Sequence, residues 1–387
     1  MVSLRKPSCP YGESRWFVLF PPVPHNAGIK KPAKTRVARA PSPAKAADPR
    51  VNATDVRLGH IVRLLMEHAT VVVSGTKIAQ EISSTRSEVW RLVQQLRGLG
   101  VEVAGHPATG YQLMSNPDLL LPEILAPLIR GTIFDAHIHH FYKIGSTNTA
   151  AMSAAADGIA EGSVFLAEEQ TAGRGRGSNT WNSARSAGIY CSVVLRPPLP
   201  PSEVLVMSLA AGLAVHAAIT QVNQTVSVDL KWPNDVLISG KKVCGILTEM
   251  NAEVTRVRHV VVGIGINVNH MSFPKELESE AISLRMTTGS EWSRVELTAA
   301  LLKSFDREYR LLMEDPEARS SILRRFAERS SWSQGKRIFV EENGSRIEGT
   351  TAGLDDRGFL QVRTTQGLRK ILSGTVREMK QHSALST

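Results

Sequence analysis

Two arginines one residue apart, Arg174 and Arg176, lie in the run Gly173-Arg174-Gly175-Arg176-Gly177-Ser178-Asn179-Thr180-Trp181. Glycine lets a backbone N–H approach a phosphate closely, and a guanidinium keeps its charge at any physiological pH. Their alternation predicts a mobile loop that orders over an anion, with Trp181 placed to cover an apolar or aromatic ligand. A disordered, RNA-binding Arg-Gly tract has similar composition. Such tracts are longer and repeated, whereas this run lies between apolar strands expected at 164–167 and 189–195. Lys231 follows a strand expected at 226–230 and opens Lys231-Trp232-Pro233-Asn234-Asp235. A lysine at the end of a buried strand, held by a rigid proline turn, needs an anion nearby. Gly145-Ser146-Thr147-Asn148 opens an Ala-rich helix over 149–156, and hydroxyls and N–H groups at a helix start suit an anion or a compact polar ring. Asn267, in Gly263-Ile264-Gly265-Ile266-Asn267, falls just past the end of an apolar strand, within reach of a ligand.

These groups need a scaffold, and 387 residues are enough for two or three domains. Apolar residues make up 42% and charged residues 21%, which excludes wholesale disorder. No apolar run reaches the ~20 residues that span a bilayer, so no membrane partner is expected. Cys9, Cys191 and Cys244 are far apart and form no CxxC pair. That argues against a disulfide framework or a cysteine zinc site and suits a reducing, cytoplasmic setting. The formal charge of +10 is concentrated in residues 1–54, where ten Lys/Arg face Glu13 and Asp48. The body is close to neutral and is not a basic nucleic-acid-binding surface.

Residues 1–54 are rich in proline and predict a disordered tail, either a solvated extension or the result of a wrongly chosen start codon. From Asp55 helical spacing begins, with Val56, Ile61, Val62, Leu64 and Leu65 on one face. A short helix follows at 76–81, then a third at 86–99 capped by Ser83-Ser84-Thr85. A hairpin over 101–113 completes a winged helix-turn-helix at 55–114. Its third helix would enter a DNA major groove with Ser84, Thr85, Arg86, Trp90 and Arg91, and His106 and Thr109 would belong to the wing. Six Lys/Arg against five Asp/Glu in 55–113 predict weak binding by one copy. A dimer would double the contacts. The alternative is a winged helix used only for protein contacts or positioning.

Residues 115–333 alternate strand and helix patterns, and 334–380 switch to short strands with Asn343-Gly344 and Asp356-Arg357-Gly358 turns. His137 and His139 share one face of a strand with metallohydrolase-like spacing, but no further ligand set follows, so they read as a half-exposed strand. Cys191 and Cys244 read as core fillers.

Five motifs, STN at 146–148, EEQTAGRGR at 168–176, KWPND at 231–235, KVCGILTE at 242–249 and GIGINVN at 263–269, occur together in one order. In that order and spacing the chain resembles the biotin protein ligases, and with the winged helix it is similar to the bifunctional ligase/repressors of the biotin operon. The resemblance covers nearly everything after residue 55. It implies an α+β protein: a winged helix-turn-helix, a central mixed-sheet ligase domain of class II synthetase type at 115–333, and a C-terminal SH3-like barrel at 334–380. It implies ATP, Mg²⁺ carried by ATP rather than by a metal motif, biotin as substrate, a biotin carboxyl carrier protein as acceptor, and operator DNA and a homodimer as further partners. By carry-over Ser146, Thr147, Asn148, Gln170, Arg174, Gly175, Arg176 and Lys231 would bind biotin. Arg174, Arg176 and Lys231 would serve catalysis, and Trp181, Asn234, Asp235 and Asn267 the nucleotide. A lipoate ligase is the enzymatic alternative. Relatives commonly continue the loop with arginine, glycine and arginine where this chain has Gly177, Ser178 and Asn179, which predicts faster leakage of the intermediate.

Overall fold

The computed structural model describes residues 16–18, 53–106, 109–342 and 345–379. The expectation for the tail falls largely outside the described residues, as does the turn at Asn343-Gly344. Strand β1 (Trp16–Val18) is followed by α1 (Ala53–Glu67), α2 (Gly75–Glu81), α3 (Arg86–Gly98), β2 (Val103–His106) and β3 (Gly110–Leu113). The Ser74 and Thr85 hydroxyls cap α2 and α3 by accepting from Lys77 N and Glu88 N at 3.1 and 3.2 Å. Leu58, Ile61, Val62 and Leu65 form the buried stripe of α1, while Val56, expected inside, is 43% exposed. Two residues before Leu58 is the wrong side of a 3.6-residue turn. In α3 the buried residues are Val89, Leu92, Val93 and Leu96, as the spacing predicted.

The central region runs α4 (Pro122–Leu128), β4 (Ile138–Phe141), α5 (Thr147–Ala156), β5 (Val164–Ala167), β6 (Gly188–Leu195), α6 (Leu205–Val222), β7 (Asp229–Lys231), β8 (Asp235–Ile238), β9 (Lys241–Ala252), β10 (Val257–Asn267), α7 (Leu284–Thr288), α8 (Arg294–Glu314) and α9 (Ala318–Glu328). Its strands form one mixed sheet of order β4-β5-β6-β10-β9-β8-β7, with β1 paired to β9. β4 and β5 are parallel and the other pairs antiparallel. Side chains alternate across the sheet. Phe165, Val194 and Val261 pack on α5, whereas Leu166, Val193 and Val262 join the larger core with α6, α8 and α9. Against the expectation that no apolar run is long enough to span a bilayer, the 22-residue segment Pro201–Val222 is, but 78% of its most apolar stretch is buried. Its apolarity is that of a core helix between sheet and α8. Cys191 and Cys244 fill the same core, as expected. The His139 ring stacks on Phe165 at 4.7 Å, and the described residues contain no group of three metal-ligating side chains.

The C-terminal strands are β11 (Gln334–Glu342), β12 (Ser345–Leu354), β13 (Leu360–Thr364), β14 (Gly367–Ile371) and β15 (Thr375–Glu378). They form an antiparallel sheet of order β14-β13-β12-β11-β15, open because its two edge strands do not pair. Ile338, Val340, Leu360 and Val362 share the large core with α6 and α9, so this sheet packs on the central region. The Trp232 indole, only 2% exposed, donates to Gly358 O at 2.9 Å and ties the KWPND turn to the C-terminal sheet.

Candidate active site

One pocket gathers the residues singled out in the sequence. Its lining includes Ser146, Thr147, Asn148, Gln170, Arg174, Gly175, Arg176, Trp181 and Asn234, joined by Ser192, Lys242 and the glycines of β9 and β10. Ser146 caps α5, and Thr147 and Asn148 form its first turn, so the helix start faces the sheet. Gln170 Oε1 accepts from Thr147 N and Oγ1 at 2.9 and 3.2 Å, and Gln170 Nε2 donates to Ser183 Oγ at 2.8 Å. Ser192 Oγ donates to Asn148 Oδ1 at 2.6 Å and lies 2.8 Å from Thr147 Oγ1. A Cβ on Gly263 would lie 2.0 Å from Asn148 Oδ1, so only glycine there admits this amide. The result is one wall of neutral hydroxyls and amides.

The same lining also carries cations. The loop that carries Arg174 and Arg176 is folded here, with Trp181 N donating to Gly173 O at 2.9 Å and Gly175 N to Asn179 O at 2.8 Å. The turn closes through the backbone, with Asn179 N donating to Arg176 O at 3.2 Å and Gly177 at φ +63°, a conformation that favours glycine. Arg174 makes a two-pronged bond to Glu249, at 3.1 and 2.7 Å, and Asn148 Nδ2 donates to the same carboxylate at 3.0 Å. Arg176 donates to Asn234 Oδ1 at 3.2 Å and to Gly374 O, beyond β14, at 3.4 Å. Burial lowers the Arg176 pKa against the pull of Asp235. Lys242 brings an ammonium that pairs with Asp235 at 2.6 Å and lies 5.5 Å from the Trp181 ring centroid. The Trp181 indole lies flat on the sheet at Gly245 and Gly265, where a Cβ on Gly265 would come within 2.5 Å of Nε1. That N–H is buried and has no hydrogen-bond partner among the described residues. The remaining cavity of about 50 Å³ has room for a few water molecules and not for biotin with a nucleotide. A ligand must therefore move the indole.

Two expected site residues stand elsewhere. Lys231 is not in the lining; its Nζ sits 4.4 Å from the centroid of Trp332. Asn267 is buried, and its amide donates to Lys242 O and Ile282 O at 3.4 and 3.2 Å, which makes it a strut for the end of β10. Asp235 touches the site through Lys242. Sequence reasoning missed Ser192, Lys242 and Glu249 as site residues. The last two stand in the KVCGILTE motif, and a lone serine in an otherwise apolar strand was the signal for the first. It also missed Glu168, which anchors the loop's stem. Burial alone would raise Glu168. Arg294 at 2.6 Å, His140 at 3.1 Å and the Leu120 N–H at 3.0 Å outweigh it and hold the carboxyl down at about 2. Cys191, although in the lining, is pushed up to about 12 by burial and is no nucleophile.

In the winged helix, Ser84, Thr85, Arg86, Trp90 and Arg91 lie together at the start and outer face of α3. Trp90 is 58% exposed. Arg97 donates instead to Val103 O at 3.0 and 2.8 Å, holding the hairpin to α3.

Comparison with known proteins agrees over all three regions. The Biotin/lipoate A/B protein ligase family matches residues 141–267, an HTH domain matches 57–112, and the Biotin protein ligase C terminal domain matches 335–377. The chain is 34% identical to the bifunctional ligase/repressor BirA of Bacillus spizizenii over 82% of its own length and 97% of the relative. It is 33% identical to that of Bacillus subtilis over the same shares. Against the biotin--[acetyl-CoA-carboxylase] ligase of Mycobacterium tuberculosis it is 34% identical over 56% of this chain and 79% of the relative. Among solved structures, the biotin protein ligase of Aquifex aeolicus in complex with biotin and ATP superposes with a TM-score of 0.55 at 28% identity, over 63% of this chain and 100% of that one. The chain belongs to the biotin protein ligase family, among its bifunctional ligase/repressors with an N-terminal helix-turn-helix.

Proposed function

We propose that this chain joins biotin to ATP as biotinyl-5′-AMP, releasing pyrophosphate, and then passes the biotinyl group to a lysine ε-amine of a biotin carboxyl carrier domain. The single observation that carries the reading is one pocket whose lining joins neutral amides and hydroxyls to Arg174, Arg176 and Lys242. A carboxylate and a triphosphate repel one another, and cations fixed at their meeting point lower that barrier. Thr147, Asn148 and Gln170, with Ser146 at the cap, suit the biotin ureido ring and carboxylate. Arg174, Gly175 and Arg176 close over the carboxylate and the adenylate phosphate, and Lys231 serves the junction from the end of β7. Trp181 and Asn234 cover the nucleotide side, with Asp235 steering Lys242. The reactive anhydride must be kept from water, and a loop that seats an indole in the pocket mouth suits that task. In this reading Mg²⁺ enters with the triphosphate. The C-terminal sheet, SH3-like in this reading, meets the loop through Gly374 and the KWPND turn through Gly358. That supports a share in nucleotide handling. Incubation of an apo-carrier with labelled biotin or labelled lipoate and ATP tests the reading. Biotin should label the carrier, and transfer of lipoate instead would refute it.

The second activity is repression through α3. The outward Arg86, Trp90 and Arg91 support it, and the near-neutral module implies that a homodimer is required for useful affinity. A gel shift with DNA upstream of biotin genes should appear with biotin plus ATP; no shift even at low salt would remove this role.

A further inference from the structure

Lys231 and Lys336 come from different sheets, β7 and β11, yet both ammonium groups lie against one indole. Their Nζ atoms are 4.4 and 4.5 Å from the Trp332 ring centroid. Trp332 stands in the short link between α9 and β11 and is 8% exposed. Lys336 also has a carboxylate, Glu378, at 3.2 Å. Lys231 has no ion pair among the described residues, because Asp235, its neighbour across the ladder, is taken by Lys242 at 2.6 Å. Burial lowers the Lys231 pKa; Asp235 opposes this, and the charges of Lys242 and Arg377 add to it. The face of an aromatic ring is an attractive site for such a cation.

We propose that Trp332 is a positioning residue for the ligase reaction: its ring holds the Lys231 ammonium at the end of β7, from which it turns to the point where carboxylate meets phosphate. The inference rests on the role given to Lys231 above. A charge-assisted bond to an oxyanion is stronger than contact with a ring face, so the ammonium leaves the indole when substrate arrives. Without the ring, a half-buried ammonium sheds its proton or turns to solvent, and either change removes the cation from the site.

The test is biotin-dependent ATP–pyrophosphate exchange by the full chain across the neutral and alkaline range. It compares Trp332→Leu and Trp332→Phe in the presence of Lys231 and of Lys231→Ala. Trp332→Leu should slow exchange about tenfold at neutral pH and move the alkaline limb down by about one pH unit. Trp332→Phe should retain most of the rate, and on Lys231→Ala the leucine change should add nothing. If the leucine variant does not fold, Trp332→Phe alone should lower the rate by less than about twofold and move the alkaline limb down by a fraction of a pH unit, only when Lys231 is present. Unshifted limbs, or losses that simply add to that of Lys231→Ala, would overturn the positioning role while leaving Lys231 in place. A wild-type rate for Lys231→Ala would sink the role of Lys231, and this inference with it.

Discussion

On α3, Arg91 pairs with Glu88 at 2.6 Å with both side chains substantially in water. In the central pocket Arg174 pairs with Glu249 at 2.7 Å, and that carboxylate is 8% exposed. The two pairs are alike in chemistry and differ in surroundings. Water screens the first, so it contributes little to stability and leaves Arg91 available to a long polyanion. The second is shielded on its carboxylate side, while the Arg174 side chain stays 41% exposed, so an arriving anion can compete for Arg174 only by matching what Glu249 supplies. The pocket thus holds its cations against replaceable counter-charges, whereas the helix displays them.

The sharpest way to break this contrast is to remove one arginine from each region. Arg176→Ala should lower biotin transfer to the carrier by about two to three orders of magnitude, the scale of losing one fixed donor at a developing charge. Arg91→Ala should leave transfer unchanged and weaken only the gel shift. Next comes the loop's stem. Glu168→Gln leaves the buried Arg294 short of a partner and should cost about 3–5 kcal/mol in urea unfolding at neutral pH. Because the folded Glu168 pKa is held below its ordinary 4.5, its stabilisation is full above that pH and fades as pH falls toward about 2. The gap between wild type and variant should therefore narrow on acidification; a gap that widens would remove Glu168 from the account. The smallest effects come from two glycines. A Cβ on Gly265 meets the Trp181 indole, whereas one on Gly98 meets nothing within 4 Å. Gly265→Ala should destabilise by about 1–3 kcal/mol or expel the indole, seen as a fluorescence change. Gly98→Ala should stabilise by about 0.5 kcal/mol.

The three regions and most pocket residues were legible because their signals are local. A glycine-arginine loop, a capped helix start and a KWPND turn each announce themselves within a few residues. What was missed depends on distant partners. Arg294 reaches Glu168 across 126 positions, and no local spacing pairs them. Ser192 is one polar residue in a strand otherwise read as core, and its meaning comes only from Asn148 on α5. Lys231 and Asn267 were read correctly as strand-end residues, but the direction of a side chain there is set by what packs beside it, Trp332 in one case and the Lys242 and Ile282 carbonyls in the other. Strand β15, with three of its four residues exposed, lacks the apolar alternation that marks an edge in sequence.

The central claim is that guanidinium and ammonium groups held against Glu249, Asn234 and Asp235 turn to the substrates when these bind. A crystal structure of the full chain with biotin and a non-hydrolysable ATP analogue tests it most directly. The expected result has Trp181 lifted off Gly265, Arg174 released from Glu249, and Arg176 with Lys231 or Lys242 on the carboxylate and phosphate oxygens. Ligands bound with those side chains still on their present partners would contradict it.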